Sequence, residues 1–381
     1  MIIVDQNIPF GAEAFADFGE VLRLPGRDIC HEHLSCATAL IVRSITRVNR
    51  ALLEDTPVRF VGTCTIGTDH LDLPWLESQG IEWTSAPGCN ARSVAEYVVA
   101  ALALAHRAGK LDLSQRPCAG VIGAGRVGTQ VERILRSLGL DVRRNDPPRA
   151  EAEGPEAFSD LDELLETSQV VCAHLPLTTS GPHPTRGLLT WEHLRRLPPG
   201  ALFLNAGRGP TAPTPDLLRL ADTRPDVTLV LDVWDPEPRF PVALASRCLV
   251  GTPHIAGYSL EGKVEGTRMV RARLGNFLGL PEWAPPHSSA AHLEWRPRAD
   301  GSRSPTDLLV DLILSAYDIE GDGARLRALE GLGDVERGNA FDGLRRDSPQ
   351  RREFASRAIS GWHDLPESIR KIASKIGFHA I

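Results

Sequence analysis

The sequence predicts an α/β protein built around doubly wound parallel sheets. Two series of short apolar runs alternate with stretches of helical spacing, a pattern typical of parallel strands joined by crossover helices. A glycine-rich turn opens the second series at residues 118–128. The chain of 381 residues is too long for one ordinary core, which favours two or three domains.

The first series occupies the N-terminal hundred residues. Its predicted strands are MIIVD (1–5), TALIVRS (38–44) and VRFVGT (58–63). NRALLEDTP (49–57) has helical spacing and stops at a proline. APGCN (86–90) predicts a turn, and a long helix then runs to a glycine and a lysine over SVAEYVVAALALAHRAGK (93–110).

The second series predicts at least five further strands with amphipathic helices between them. These strands are AGVIG (119–123), LDVRRN (140–145), VVCAHL (170–175), ALFLNA (201–206) and VTLVLDV (227–233), with a short addition at CLVGTP (248–253). One more helix follows at 261–279, and a stretch rich in Pro, Ser and Arg at 280–305 predicts a domain boundary. The remainder mixes helical and strand patterns, which indicates an α+β segment.

Composition excludes several classes of protein. A hydrophobic fraction of 42% and a charged fraction of 24% are typical of a soluble globular chain. The net charge of −7 argues against a nucleic-acid partner. The most apolar stretch (94–109) contains Glu96 and is too short to span a membrane. With no N-terminal signal and seven scattered cysteines, we expect a reduced, cytoplasmic protein.

One short stretch contains several residues of the types that bind metals. CHEHLSC (30–36) holds two cysteines and two histidines within seven residues. Structural zinc usually takes paired ligands from two separated segments, and no second pair follows. We therefore expect the start of a surface helix here and no bound metal.

Gly123, Gly125 and Gly128 form a G-x-G-x-x-G turn between a predicted strand and a predicted helix. The first glycine permits the tight turn, the second lets a pyrophosphate approach the backbone, and the third packs helix against strand. Arg126 and Val127 open the helix, whose N-terminus attracts negative charge. This context predicts a dinucleotide site.

Asp146 follows the next strand, roughly 20 residues after the glycine turn. A carboxylate at this place accepts hydrogen bonds from ribose hydroxyls and favours NAD over NADP. Arg143, Arg144 and Arg149 lie nearby and could instead accommodate a 2′-phosphate. The alternative is that Asp146 only begins a turn before two prolines; we predict NAD.

Three polar residues follow the ends of the last predicted strands. Arg208 lies in NAGRGP, Glu237 in DVWDPEP and His254 in GTPHIAGYS. Each has an ordinary explanation alone, as a surface charge, a turn residue or a strand-end histidine. Ligands bind beyond the carboxyl ends of parallel strands, so these residues together predict a site for hydride transfer at a hydroxy acid. Arg208 would bind a carboxylate, His254 would accept the hydroxyl proton and Glu237 would orient the imidazole.

These motifs resemble the D-isomer-specific 2-hydroxyacid dehydrogenases. Six further stretches resemble one particular branch of this family: VDQNIPF, LIVRSIT, VGTCTIGTDHLD, SAPGCNARSVAEYV, NDPPRA and VGTPHIAGYSLEGK. The resemblance covers nearly the whole chain, including a C-terminal region that lactate and glycerate dehydrogenases lack. It implies a Rossmann-type NAD domain (94–256), a split flavodoxin-like substrate domain (1–93 and 257–285) and a C-terminal dimerisation domain (286–381) that forms a homodimer.

The resemblance also implies roles for individual residues. Arg208, Glu237 and His254 would be catalytic, and the substrate would be a phosphorylated 2-hydroxy acid. The residues implied to contact NAD are the glycine-turn residues Gly123, Gly125, Arg126, Val127 and Gly128 together with Asp146, Leu175, Ala206, Asp232 and Gly257. Those implied to contact substrate are Ser44, Thr65 and Tyr258. Leu175 departs from the small polar residue expected there, so only a backbone contact is expected from it.

The sequence leaves alternatives for the residue that binds the substrate phosphate and for the activity within the family. The substrate phosphate needs a cation, which Arg43 or a basic residue of a partner subunit from 336–347 could supply, although Arg43 could equally be a structural arginine. The chain could also be another member of the family, such as a D-3-phosphoglycerate dehydrogenase, or an NAD-sensing scaffold without turnover.

Overall fold

The structure is a computed structural model that describes residues 1–279, 283–286, 291–296, 303–348 and 350–381. Its strands are β1 (Ile2–Asp5), β2 (Val21–Leu24), β3 (Ala39–Val42), β4 (Phe60–Thr63), β5 (Glu82–Thr84), β6 (Ala119–Ile122), β7 (Val142–Asn145), β8 (Val170–Ala173), β9 (Leu202–Asn205), β10 (Thr228–Leu231), β11 (Val250–Gly251), β12 (Ala291–Leu293), β13 (Arg357–Ile359) and β14 (His379–Ala380). Its α-helices are α1 (Gly11–Phe15), α2 (Arg50–Leu53), α3 (Leu73–Ser78), α4 (Ala91–Arg107), α5 (Arg126–Ser137), α6 (Pro147–Glu153), α7 (Leu161–Thr167), α8 (Trp191–Leu194), α9 (Thr214–Thr223), α10 (Val242–Ala245), α11 (Leu260–Leu278), α12 (Pro305–Ala316), α13 (Ile319–Arg327), α14 (Asp334–Arg346) and α15 (Glu367–Lys375).

The chain divides into two compact units, one of residues 1–90 with 259–289 and one of residues 91–258 with 290–381. The first unit holds a parallel sheet of order β2-β1-β3-β4-β5, which is the flavodoxin-like order. Strands β1, β3 and β4 are fully buried. A Cβ on Gly62 of β4 would overlap the Val270 side chain, so glycine lets α11 pack closely on the sheet.

The second unit contains a parallel sheet of order β11-β10-β9-β8-β6-β7. The strand order reverses between β6 and β8, where a doubly wound sheet opens a crevice at its carboxyl edge. Helices α4 and α5 pack against each other and bury Val98, Val131 and Leu135 in the same core as β6 and β8. The predicted α/β class and the strands of both series are therefore confirmed.

The C-terminal residues belong to the second unit. Helix α12 packs on α4, and β12, β13 and β14 form a small parallel sheet. Glu96 of α4 accepts hydrogen bonds from Arg92 Nε (2.7 Å) and from the backbone N–H of Phe354 (3.0 Å). The predicted α+β character of this segment agrees with these elements, while half of the predicted boundary stretch 280–305 lies outside the described residues.

Some local predictions were wrong. The helix predicted over 49–57 is only α2, because Glu54 leaves the helical region with a ψ of 136° and Asp55 follows in a left-handed conformation (φ 60°). The alternative in which Asp146 only begins a turn is also replaced, because the two prolines after it begin a helix, α6, with Asp146 as its N-cap. CHEHLSC forms a short 3₁₀ helix at His31–Leu34. Across the described residues, no helix is long and apolar enough to cross a membrane.

Candidate active site

The glycine turn has the geometry of a phosphate cradle. Gly123 has a positive φ of 86°, and a Cβ there would lie 2.9 Å from the carbonyl oxygen of His174. A Cβ on Gly128 would overlap the Gly123 carbonyl, so this glycine brings α5 against β6. At Gly125, by contrast, a Cβ would meet only open space. The backbone N–H groups that open α5, at Arg126 and Val127, therefore follow a residue that leaves open space beside the turn.

Asp146 lies at the end of β7 and ties the glycine turn to α6. Its Oδ2 accepts a hydrogen bond from the N–H of Ala124 (2.9 Å), and its Oδ1 accepts one from the N–H of Arg149 (3.2 Å). A carboxylate has about four acceptor positions, which leaves capacity for ribose hydroxyls. The predicted ribose position and the alternative capping role are thus compatible.

The three arginines near Asp146 all have protein partners. Arg143 pairs with Glu163 (2.7 Å) and Arg149 with Glu153 (2.6 Å). Arg144 donates to the carbonyl of Ala157 (2.8 Å) and stacks over Phe158. These contacts engage the cations that would otherwise bind a 2′-phosphate.

The loops after β8 and β9 flank the same turn. Gly207 approaches Leu175 so closely that a Cβ would lie 2.8 Å from its backbone nitrogen. Ala206 is half-buried and donates its N–H to the carbonyl of Ala173 (3.2 Å). His174 is buried, and burial lowers the pKa of its imidazole to about 3. This histidine is therefore neutral and acts as part of the packing.

Arg208 follows β9 in a loop that the neighbouring side chains hold in place. Its carbonyl oxygen accepts hydrogen bonds from Thr211 Oγ1 (2.7 Å) and Asn205 Nδ2 (3.2 Å). Its Nη1 donates to the carbonyl of Gly207 (2.9 Å), and the side chain is half-buried. The guanidinium thus projects from a fixed backbone at the carboxyl edge of the sheet.

Glu237 and His254 are in direct contact. His254 Nδ1 lies 2.8 Å from Glu237 Oε2, and Glu237 Oε1 accepts a hydrogen bond from the N–H of Trp234 (2.9 Å). Burial would raise the pKa of Glu237, but the imidazole charge and these hydrogen bonds outweigh it and hold the pKa below its usual value. An ionised Glu237 accepts the Nδ1 proton, which leaves Nε2 of His254 as a proton acceptor.

Asp232 has a structural task that the sequence did not predict. It is buried, and it accepts hydrogen bonds from Thr252 Oγ1 (2.6 Å) and from the N–H groups of Ile255 (2.8 Å) and Ala256 (2.9 Å). Burial raises the pKa of this carboxyl. Asp232 therefore fixes the segment that carries His254 and leads to Gly257.

Two further residues of the second unit contact residues of this site. Tyr97 of α4 lies 2.8 Å from Thr252 Oγ1 and so extends the hydrogen-bond chain to Asp232. Arg345 of α14 lies 6.0 Å from the ring of Tyr258, and its side chain is only 15% exposed. Tyr97 carries no signal in the sequence. Arg345 lies in the stretch 336–347 that could supply a cation from a partner subunit, and its contact with Tyr258 of the same chain is visible only in the fold.

The predicted substrate residues of the first unit lie at the carboxyl edge of its own sheet. Ser44 is exposed just after β3. Thr65 follows β4, with its hydroxyl 2.8 Å from Thr63 Oγ1. Arg43 Nε donates to the buried carboxylate of Asp5 (3.0 Å). This ion pair supports the structural alternative for Arg43, because Asp5 already occupies one of its donors.

Comparison with known proteins places the chain in a family. Residues 104–256 match the model of the D-isomer specific 2-hydroxyacid dehydrogenase NAD binding domain. An erythronate-4-phosphate dehydrogenase of Azotobacter vinelandii is 46% identical over 99% of this chain and 98% of its own. One of Stutzerimonas stutzeri is 44% identical over 99% and 98%. The chain belongs to the erythronate-4-phosphate dehydrogenases, within the D-isomer-specific 2-hydroxyacid dehydrogenase family.

Solved structures agree on the fold. NAD⁺-bound 3-phosphoglycerate dehydrogenase of Entamoeba histolytica superposes with a TM-score of 0.63 at 23% identity, covering 73% of this chain and 95% of its own. D-lactate dehydrogenase of Aquifex aeolicus has a TM-score of 0.60 at 22% identity, covering 73% and 96%. The sheet of the second unit is thus the NAD-binding domain of this family, and the predicted NAD cofactor is confirmed. No metal-ligating cluster occurs among the residues described.

Proposed function

We propose that this protein oxidises 4-phospho-D-erythronate to (R)-3-hydroxy-2-oxo-4-phosphooxybutanoate with NAD, a step of pyridoxal 5′-phosphate (vitamin B6) biosynthesis. The observation that carries the proposal is the 2.8 Å contact between His254 and Glu237 at the carboxyl edge of the NAD-binding sheet. The erythronate-4-phosphate dehydrogenase relatives support the choice of substrate.

The residues of this chain supply the acid–base chemistry. NAD held by the glycine turn supplies the acceptor for the hydride from carbon 2 of the substrate. His254 Nε2 takes the proton of the 2-hydroxyl, and Glu237 stabilises the imidazolium that forms. Arg208 binds the substrate carboxylate through its planar fork. General base catalysis of this kind contributes roughly 10²–10⁴-fold to the rate.

The remaining contacts are proposed by position. Gly123, Gly125, Arg126, Val127 and Gly128 would hold the pyrophosphate, and Asp146 the ribose. Backbone groups of Leu175, Ala206 and Gly257 would contact the cofactor, with Asp232 near the nicotinamide. Ser44, Thr65 and Tyr258 would contact substrate. Arg43 remains a candidate for the phosphate through its Nη groups, since its Nε is already bonded to Asp5.

The domain roles and the assembly are proposed as well. Residues 94–256 would form the NAD domain, 1–93 with 257–285 the substrate domain, and 286–381 the dimerisation domain of a cytoplasmic homodimer. Sedimentation of the full chain tests the assembly, because a monomer at micromolar concentration would contradict it.

A substrate panel tests the reaction. NADH formation is followed by absorbance with 4-phospho-D-erythronate, D-erythronate, D-3-phosphoglycerate and D-lactate, each with NAD and with NADP. We expect the highest kcat/KM with 4-phospho-D-erythronate and NAD. A preference for D-3-phosphoglycerate would support another activity of the same family, and no turnover with any substrate would favour an NAD-binding scaffold.

A further inference from the structure

A cavity of about 260 Å³ lies within the second unit, next to the segment that follows His254. Ile255 and Tyr258 form one wall. Residues from α12 and α13 and their connection form another, and Ser348, Gln350, Arg351 and Arg357 complete the lining. None of the residues proposed above for catalysis lines it, and Tyr258 is its single member from the proposed substrate contacts. The cavity is therefore distinct from the group of residues proposed for catalysis.

Arg351 is the buried cation in the wall of this cavity. It is 7% exposed, and its Nη2 donates to the carbonyl oxygens of Ser93 (2.8 Å) and Ala256 (2.6 Å). Its guanidinium stacks over the ring of Tyr317 at 4.5 Å. Nε and Nη1 are buried and have no acceptor among the residues that the structure describes. An unsatisfied buried donor of this kind is a frequent sign of a missing ion or ligand.

The carboxylates in the cavity wall are committed to other partners. Asp322 pairs with Arg325, and Asp318 accepts the N–H of Gly321 (2.9 Å) at the start of α13. Arg351 forms no ion pair within the described part of the chain. Because a buried charge is costly unless it is paired, the cavity lacks one negative charge.

We propose that this cavity binds a small phosphate-bearing anion, with Arg351 as its main cationic donor. Arg325 and Arg357 also line the wall, and the planar guanidinium group matches phosphate oxygens well. The volume is below that of typical drug-sized pockets, so inorganic phosphate or a short phosphate ester fits best. Arg351 also donates a hydrogen bond to the carbonyl of Ala256, two residues after His254. An anion bound to Arg351 would therefore contact the same side chain that holds this segment.

Isothermal titration calorimetry with inorganic phosphate tests the proposal, with chloride at equal ionic strength as the reference. We expect binding by the wild type, and about tenfold weaker binding by Arg351→Lys, which keeps the charge but loses the fork. Arg195→Lys is the matched control, since Arg195 pairs with Glu192 at the surface, and it binds as the wild type does. Arg43→Lys also keeps this binding, which separates the cavity from the phosphate position proposed for Arg43 in the active site.

A second variant covers the case in which Arg351→Lys does not fold. Ser315 is exposed and lines the cavity. Ser315→Trp therefore leaves the buried contacts intact, and its larger side chain fills the space. We expect this variant to lose phosphate binding as well. Wild-type affinity in both Arg351→Lys and Ser315→Trp overturns the proposal, as does loss of binding in Arg43→Lys. A wild type that binds no phosphate at millimolar concentration also overturns it.

Discussion

His254 adopts a backbone conformation that residues other than glycine seldom take, with a φ of 57°. Its N–H donates to the carbonyl oxygens of Asp232 (2.8 Å) and Thr252 (3.0 Å), and the carboxylate of Asp232 holds the next two N–H groups. Such strain persists only where the surroundings over-determine it. At the scale of the residue, this backbone directs the imidazole toward Glu237.

The tautomer of His254 gives the sharpest test of Glu237. In Glu237→Gln, Oε1 can still accept from Trp234, but the amide NH₂ then faces Nδ1 and forces the proton of the neutral imidazole onto Nε2. We expect kcat for oxidation to fall by roughly 10²–10⁴-fold, with NADH affinity unchanged. Asp235→Asn, a change in the same loop, serves as the control. Wild-type kcat in Glu237→Gln would show that the contact plays no part in catalysis.

The rate of oxidation should depend on pH through His254. The pKa of Glu237 is below its usual value, so this carboxylate stays ionised across neutral pH. Oxidation needs the unprotonated imidazole as base, so the rate rises with pH through one ionisation. A pH profile of kcat and kcat/KM checks this, once a deuterium isotope effect shows that hydride transfer limits the rate. A flat profile would exclude His254 as the base.

At the scale of the element, strand ends and glycine turns position the site. The positions of Arg208, Glu237 and His254 could be predicted from the sequence, because each follows an apolar strand that ends at the same edge of a parallel sheet. The contact of Arg345 with Tyr258 could not, because α14 is distant in sequence and its pattern carries no sign of what it packs against. The edge strands β2 and β5 were also missed, since their half-exposed residues lack a continuous apolar run.

Substitutions at two glycines of the same turn should distinguish an effect on stability from an effect on NADH binding. A Cβ at Gly128 overlaps the Gly123 carbonyl, whereas one at Gly125 meets nothing. We therefore expect Gly128→Ala to lower Tm and weaken NADH binding together, and Gly125→Val to weaken NADH binding with little change in Tm. Thermal unfolding and NADH fluorescence titration measure the two effects. Full NADH affinity in Gly125→Val would contradict the assignment of this turn to the pyrophosphate.

At the scale of the whole molecule, the C-terminal segment is an integral part of the NAD-binding unit. Glu96 on α4 bonds the backbone of Phe354, and Ser93 Oγ donates to Glu353 (2.8 Å). The composition change at 280–305 predicts a domain boundary, but it could not reveal that residues after it pack against α4. Contacts between distant segments depend on tertiary packing, which local patterns do not encode.

This buried junction predicts how stability depends on pH. Burial raises the pKa of Glu96 to about 8, although the Arg92 charge opposes it. The folded chain therefore holds this proton more tightly than the unfolded chain between about pH 4.5 and 8, so the contribution of Glu96 to stability is lost as pH rises through that window. Glu96→Gln should lose less stability between pH 5 and 8 than the wild type and the exposed control Glu13→Gln. Equal pH dependence in chemical denaturation of all three would contradict this.

The proposed reaction is tested most directly by single-turnover formation of NADH from 4-phospho-D-erythronate, in the wild type and in His254→Gln. The wild type should form one NADH per active site, and His254→Gln should bind NADH normally but react roughly a hundredfold or more slowly. Absence of NADH in the wild type, or an unchanged rate in His254→Gln, would contradict an oxidation in which His254 accepts the substrate proton.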